Sequence, residues 1–147
     1  MTAKMTPQRV NEILIDQHMG CSQCVMAHAA QDLGLMDETL ALRASGGLQG
    51  GCFGGDVCGA VAGAVMALGL AFPYDTPNDN DQKALLVSKV TEFRKRFTEK
   101  HGSLICRELL GGSFADPAIL PTMRIKCPQF CLDACNIVDD IIEEAKQ

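Results

Sequence analysis

The chain has 147 residues, a formal net charge of −5 and a pI near 5.1. This length suits one domain with one substantial core, so we expect a single domain over residues 1–147. The acidic balance excludes the basic footprint typical of proteins that bind nucleic acid or an anionic membrane surface. With no Trp and one Tyr, the core must come mainly from aliphatic residues, a composition that favours helices.

The apolar spacing and the capping residues predict an all-α bundle of about six or seven helices. In the first half, Thr6-Pro7 starts a helix that ends at Gly20, a second helix runs from Cys21 to Leu33, and Asp37 caps a third. In the second half we expect a central helix from its N-cap Asp56 to Leu70, a helix from Gln82 to His101 ended by Gly102, a short helix from Ser103 to Leu110, an irregular loop from Gly111 to Lys126, and a last helix with Pro128 in its first turn.

Targeting signals and membrane spans are not indicated by the sequence. Residues 1–20 mix charged and apolar positions and lack the continuous apolar segment of a signal peptide, so we expect a cytoplasmic protein. The uncharged stretch 57–74 contains three glycines and Pro73, which favours a buried core helix over membrane insertion. Its small residues Gly59, Gly63 and Ala67 recur every four positions and suit close helix packing, within one chain or in a homodimer.

A glycine-rich loop, residues 45–55, precedes the central helix. Glycine takes positive φ without a Cβ clash, so backbone N–H groups of such a loop can turn toward one point. Cys58 follows near a helix N-terminus, where partial positive charge favours a thiolate or an anionic cluster. Because no strand precedes the loop and no Gly-Lys-Ser/Thr follows it, nucleotide binding is not indicated.

Eight cysteines are the main chemical feature of the sequence. Without an export signal, metal or redox chemistry is a better interpretation than a disulfide framework. Thiolates are soft ligands that select Zn, Cu(I) or iron–sulfur clusters. Four of them could form a cage if the ends of four helical segments gather in one place, and the candidates are Cys24, Cys58, Cys106 and Cys127.

Three alternatives to this cage stay open. The C-x-x-C from Cys21 to Cys24 could cycle as a dithiol, although no βαβ context surrounds it. The thiols could instead hold zinc in a structural module, or belong only to the core of a helical interaction module. A buried cysteine often acts as a small apolar residue, an interpretation that suits Cys52, Cys131 and Cys135. We expect the three histidines, His18, His28 and His101, to be solvated, and no haem-attachment motif occurs.

Several motifs follow one another along the chain in a recognisable order. They are Cys24, the loop 45–55, Cys58-Gly59-Ala60-Val61-Ala62-Gly63, Gly102-Ser103, Cys106-Arg107-Glu108-Leu109-Leu110-Gly111 and Cys127-Pro128. This order resembles a family of redox-active proteins with a Cys-Gly-Ala-x-x-Gly signature and further single cysteines on either side. The resemblance covers nearly the whole chain. It implies a helical domain whose four family cysteines correspond to Cys24, Cys58, Cys106 and Cys127.

The domain also looks like the one that accompanies haem segments in split-Soret-type cytochromes, where an iron–sulfur centre is bound. The resemblance therefore implies a helical redox protein that holds an iron–sulfur cluster through these four thiolates and passes electrons to a redox partner protein. The additional thiols are Cys21, Cys52, Cys131 and Cys135. We expect backbone N–H groups at Gly54, Gly55 and Gly59 to support the cluster by donating hydrogen bonds to its sulfurs.

Overall fold

Seven α-helices account for most of the computed structural model, which describes residues 4–147 and leaves the first three residues of the expected domain outside its range. The helices are α1 (Pro7–Asn11), α2 (Cys21–Gln31), α3 (Glu38–Ser45), α4 (Gly59–Ala71), α5 (Asn80–His101), α6 (Cys106–Leu110) and α7 (Leu120–Ala145). Between residues 4 and 147 there is no β-strand, only an isolated antiparallel bridge between Val57 and Ile105. The prediction of an all-α bundle is confirmed.

Capping residues near the helix ends explain several boundaries. The Thr6 hydroxyl accepts a hydrogen bond from a backbone N–H of α1 at 3.2 Å. The Asp37 carboxylate accepts one from a backbone N–H of α3 at 3.0 Å. Gly102 takes the left-handed conformation, with φ of 84°, and ends α5. These boundaries match the sequence predictions because capping depends on residues that are close together in the chain.

The start of α7 corrects the prediction for Pro128. The helix begins at Leu120, where Pro121 occupies its first turn, so residues 120–126 are helical rather than an irregular loop. Pro128 lies inside the helix, where it removes one backbone N–H but does not end the helix. Cys127 therefore lies within α7 and not at its start.

The start of α4 corrects the prediction for Asp56. Cys58, and not Asp56, takes the N-cap position of α4. The Asp56 carbonyl accepts a hydrogen bond from the N–H of Cys106 at 2.6 Å, and the N–H of Cys58 donates to the carbonyl of Leu104 at 2.8 Å. This pairing with a distant segment holds Asp56 in an extended chain before the helix.

The first helix is also shorter than expected. After Asn11, α1 continues only as a wider turn at Glu12–Asp16, and the chain does not remain helical to Gly20. His18 has a φ of 54°, which is incompatible with a right-handed helix. The segment between α1 and α2 is therefore a connection, and α2 starts afresh at Cys21.

Helices α2 and α4 pack closely against each other, and α7 contacts both. At Gly63 of α4, an added Cβ would lie 2.9 Å from the Ser22 carbonyl oxygen and 3.2 Å from Val25 Cβ. The small-residue stripe of α4 thus packs within the chain. The largest fully buried side chains of the core include Met26, Leu68, Phe93, Phe97 and Ile141. In the part of the chain that the structure describes, no helix combines the length and apolar character that a membrane crossing requires.

A chain of charged side chains joins α1, α2 and α7. His28 is 1% exposed, and its ring nitrogens lie 2.6 Å from Asp32 and 2.7 Å from Asp139. Asp32 also pairs with Arg9. Burial opposes the charged form of His28, but Asp139 and Asp32 outweigh that effect and raise the pKa of His28. The expectation that His28 is solvated is wrong, because its ring lies between two carboxylates.

Candidate functional site: a thiol-lined cavity

Four cysteine side chains line a cavity of about 530 Å³. They are Cys21, Cys58, Cys106 and Cys127, and we call them the cavity thiols. The first three lie at helix N-termini: Cys21 and Cys106 are the first residues of α2 and α6, and Cys58 is the N-cap of α4. Cys127 comes from the interior of α7. Four separate segments thus contribute one thiol each.

The isolated bridge brings two of these cysteines together. Val57 and Ile105 form the bridge, and Cys58 and Cys106 are the next residues in the two bridged segments. The N–H of each cysteine donates a hydrogen bond to a carbonyl of the opposite segment. The two helices that begin here, α4 and α6, therefore start side by side.

Gly59 and Gly63 of α4 allow a third cysteine, Cys21, to lie close to the start of that helix. An added Cβ at Gly59 would overlap Cys21 Sγ and would lie 3.0 Å from Gln49 Cα. The close α2–α4 contact at Gly63 continues this approach one turn further along α4. The spacing of the two glycines therefore allows the start of α2 to place Cys21 beside the start of α4.

The cavity thiols strongly influence each other's ionisation. Burial, together with the thiols of Cys21 and Cys106, raises the pKa of Cys58 to about 12. Burial, together with the other three cavity thiols, raises the pKa of Cys127 to about 12. The pKa of Cys106 is raised by burial and by Cys21. Every pair among the four interacts in this way, which shows that they form one electrostatic group.

Backbone N–H groups around the cavity oppose this effect in part. Burial raises the pKa of Cys21, while the backbone at Gly50 lowers it. The Cys58 side chain makes no capping hydrogen bond of normal geometry, yet the N–H groups of Ala60 and Val61 at the start of α4 favour its charged form. These donors belong to the glycine-rich loop and to a helix N-terminus, the two places where the sequence predicted them.

The predicted supporting glycines are only partly at the cavity. Among the described residues that line it are Gly50 and Gly59, but not Gly54 or Gly55. The Gly55 carbonyl instead accepts a hydrogen bond from Arg107 at 3.2 Å. The loop therefore contributes backbone support through its first part, at Gly50, and the rest comes from the start of α4.

The loop contains a left-handed turn from Gly50 to Phe53. Cys52 and Phe53 have φ of 57°, with ψ of 37° and 16°, although neither is glycine. Such residues cost about 1–2 kcal/mol each in this conformation. The turn places Phe53 at the cavity, where its ring lies 6.1 Å from that of Phe114. Cys52 points elsewhere and is exposed.

A second group of cysteines lies behind the first. Cys24, Cys131 and Cys135 are each 0% exposed, and we call them the core thiols. Cys131 Sγ donates a hydrogen bond to the Cys21 carbonyl at 3.6 Å. Cys24 and burial raise the pKa of Cys131 well above its usual value, and burial does the same for Cys135. Between residues 4 and 147 none of the three lines the cavity.

The structure brings three of the four predicted ligand residues to the cavity. Cys58, Cys106 and Cys127 line it together with Cys21, whereas Cys24 is fully buried and belongs to the core thiols. Cys21 is the first residue of α2, whereas Cys24 lies one turn further in. The sequence interpretation treated both positions as one helix start.

The chemistry of this donor set fits a soft metal or an iron–sulfur cluster, because four thiols and no carboxylate line the cavity within residues 4–147. Gly59 adds to the fit, since a side chain there would occupy space now taken by Cys21 Sγ. As the described part of the chain stands, no three His, Cys, Asp or Glu side chains are close enough to hold one metal ion. The thiols line one cavity rather than meeting at a single point.

Comparison with known proteins gives one match. No curated protein and no solved structure matches the chain, so the likeness to the split-Soret cytochrome domain stays a prediction. A family model matches residues 19–141, a span that contains all eight cysteines. The family signature GCAxxG has glycine before cysteine, whereas here Val57 precedes Cys58 and Gly59 follows it. Because the match covers most of its length, the chain belongs to the family described as "Putative redox-active protein (C_GCAxxG_C_C)".

Proposed function

We propose that the cavity thiols hold an iron–sulfur cluster and that the protein transfers electrons to a redox partner protein. One observation carries the proposal: Cys21, Cys58, Cys106 and Cys127 come from four segments and line one cavity. Cys21 replaces Cys24 in the ligand set that the sequence predicted. Membership of a family described as redox-active supports the same class of function.

The ionisation of the cavity thiols supports a bound cationic group. With pKa values of about 12, Cys58 and Cys127 hold their protons at neutral pH in the metal-free protein. Metal binding would displace these protons, and the positive charge of the metal would offset the repulsion among the thiolates so formed. When bound, an iron–sulfur cluster supplies reversible electron transfer.

The surrounding residues would tune such a cluster. The walls of the cavity include apolar side chains such as Leu109 and Phe130, which limit the access of water. The N–H groups near Gly50, Ala60 and Val61 favour negative charge on the sulfurs. Donors of this kind stabilise the reduced state and raise the reduction potential.

The dithiol alternative has less support from the geometry. Cys24 is fully buried, whereas Cys21 lines the cavity, so the two thiols of the C-x-x-C have different surroundings. Burial raises the pKa of Cys21, which is opposite to the lowered value of an attacking thiol in disulfide exchange. Reversible cycling between Cys21 and Cys24 is therefore not the function we favour.

Anaerobic reconstitution of the full chain with iron and sulfide tests the proposal. We expect bound iron and sulfide, visible absorption from sulfur-to-iron charge transfer, and an electron paramagnetic resonance signal after oxidation or reduction. Native mass spectrometry of the untreated protein separates this result from the zinc alternative. A protein that stays colourless and iron-free, or that holds only zinc without a redox change, contradicts the proposal.

A matched pair of variants tests the ligand set. Cys21→Ala should lose the cluster, while Cys24→Ala, three residues away on the same helix, should retain it. Circular dichroism in the metal-free state controls for loss of helix in either variant. If Cys24→Ala loses iron and Cys21→Ala keeps it, the ligand set proposed from the cavity is wrong.

A further inference from the structure

The cavity extends beyond the cavity thiols. Its volume is about 530 Å³, within the range of small-molecule sites. A cluster of a few iron and sulfide atoms would occupy the part between the four sulfurs. The rest of the wall is mainly apolar and includes Leu14, Met19, Leu110, Phe114, Leu120 and Met123. The apolar wall therefore extends beyond the part of the cavity that the four thiols line.

The described wall of the cavity carries one permanently charged side chain, that of Arg124. Arg124 and His18 line the cavity, and no carboxylate does so among the described residues, although the chain has 18 acidic residues. Arg124 lies on the outer side of α7 and is exposed. Within residues 4–147 its guanidinium has no hydrogen-bond or ion-pair partner, unlike that of Arg9, Arg96 or Arg107. An unpaired guanidinium beside an apolar wall is suited to a carboxylate that carries an apolar chain.

We propose that the cavity binds a small organic anion, with its apolar body against the wall of leucine, methionine and phenylalanine side chains and its carboxylate at Arg124. The inference deepens the proposed function: the anion would bind beside the proposed redox centre, and this part of the inference rests on the proposed function. Binding itself depends only on the wall and on Arg124. It can therefore be measured on the iron-free protein, separately from any cluster.

The cavity of the iron-free protein is suited to an anion. Arg124 is the one permanently charged side chain among the described lining residues. A neutral molecule of the same shape would keep the apolar contacts and lose only the interaction with Arg124.

Isothermal titration calorimetry with octanoate and with 1-octanol tests the inference on the iron-free full chain. We expect both probes to bind, with octanoate about fivefold tighter, a modest factor because Arg124 is exposed to solvent. In Arg124→Gln the preference for octanoate should disappear while 1-octanol binding stays unchanged. Equal affinities for the two probes in the parent protein overturn the inference.

Control variants separate this site from general effects of charge and stability. Lys126→Gln removes a nearby cation whose ammonium donates to the Leu109 carbonyl at 3.2 Å and which is not among the described lining residues. We expect it to keep the octanoate preference. Met123→Trp should weaken both probes by filling the cavity, whereas Leu85→Trp on the exposed side of α5 should not. Binding that Met123→Trp leaves unchanged in a folded protein, as judged by circular dichroism, places the probe elsewhere and overturns the inference.

A competing role for Arg124 gives a different result. If Arg124 serves only to balance the charge of a cluster, Arg124→Gln should lower the iron content after reconstitution. The variant would then keep the same ratio of octanoate affinity to 1-octanol affinity as the parent protein, and that result overturns the inference. If reconstitution fails but octanoate binds through Arg124, the anion site stands and the proposed cluster does not. The two proposals can thus fail independently.

Discussion

The cavity thiols and the core thiols are the same residue type in neighbouring positions, yet they have different environments. Cys21 lines the cavity and Cys24, three residues later on α2, is fully buried. On α7, Cys127 lines the cavity and Cys131, four residues later, lies in the core. Three residues along a helix change direction by about 60° and four residues by about 40°. Helix rotation, rather than motif spacing, decides which thiols are available for chemistry.

The difference in accessibility should give the largest measurable effect. In the iron-free protein, we expect an alkylating reagent to modify exposed Cys52 first, then Cys21 and the other cavity thiols, and Cys24, Cys131 and Cys135 last. The core thiols should react at least about 100-fold more slowly than Cys52, because they need an opening of the fold. Peptide mass spectrometry after timed alkylation measures the order. Equal rates at Cys21 and Cys24 would show that the two groups are not distinct.

The difference between the cavity thiols and the core thiols also depends on the close contact between α2 and α4. Gly63→Ala should destabilise the protein by about 2 kcal/mol, because its Cβ would lie 2.9 Å from the Ser22 carbonyl oxygen. Gly69→Ala, on the same helix with nothing within 4 Å of its added Cβ, should stabilise by about 0.5–1 kcal/mol. Urea unfolding of both variants gives the two values. A neutral Gly63→Ala variant would mean that the helices can separate without cost.

Serine at a core thiol should cost more than serine at a cavity thiol. Cys135→Ser places a hydroxyl in a fully buried position where the sulfur makes no hydrogen bond within the described residues, and should cost about 1–2 kcal/mol. Cys127→Ser exchanges a half-buried thiol and should cost less than about 0.5 kcal/mol in the iron-free protein. Chemical unfolding monitored by circular dichroism measures both. The reverse order would contradict the assignment of the two groups.

The pH dependence of the iron-free protein should show the raised pKa of the cavity thiols. A thiol in the unfolded chain ionises near pH 8.5, but Cys58 stays protonated up to about 12 in the folded protein. Its contribution to stability is therefore complete below about pH 8.5 and is lost as the pH rises toward 12. Between about pH 8 and 9.5 the loss should be about 1 kcal/mol per such thiol.

A comparison of two alanine variants checks this pH effect. Cys58→Ala should reduce the loss of unfolding free energy between these two pH values, whereas Cys52→Ala, at an exposed thiol, should leave it as in the parent protein. Urea unfolding at both pH values gives the difference. An identical loss in Cys58→Ala and the parent protein would argue against a raised pKa at Cys58.

The sequence predicted those parts of the fold that depend on local chemistry. The caps at Thr6 and Asp37 and the end of α5 at Gly102 each involve residues within one helical turn, so their signals are complete in a short segment. The position of Asp56 was wrong because its carbonyl pairs with Cys106, a partner that no local pattern identifies. Pro128 was misplaced because Pro121 supplies the same first-turn signal earlier in the chain.

The lining of the cavity depends on more than local signals. Spacing and resemblance placed Cys58, Cys106 and Cys127 in one group, and the structure brings them to one cavity. That Cys21 and not Cys24 faces this cavity could not be read from α2, since most of its residues are buried and it has no clear polar side. Without such a side, the rotation of the helix is set by its packing against α3, α4 and α7.

The bridge between Val57 and Ile105 has a consequence for the order of folding. It joins two segments that are separated in the chain by the whole of α4 and α5, so its formation closes a long loop. Such contacts have a high entropic barrier and form late. The first cavity thiol also precedes the last by most of the chain length. A growing chain on the ribosome therefore has no complete site until α7 has emerged and packed.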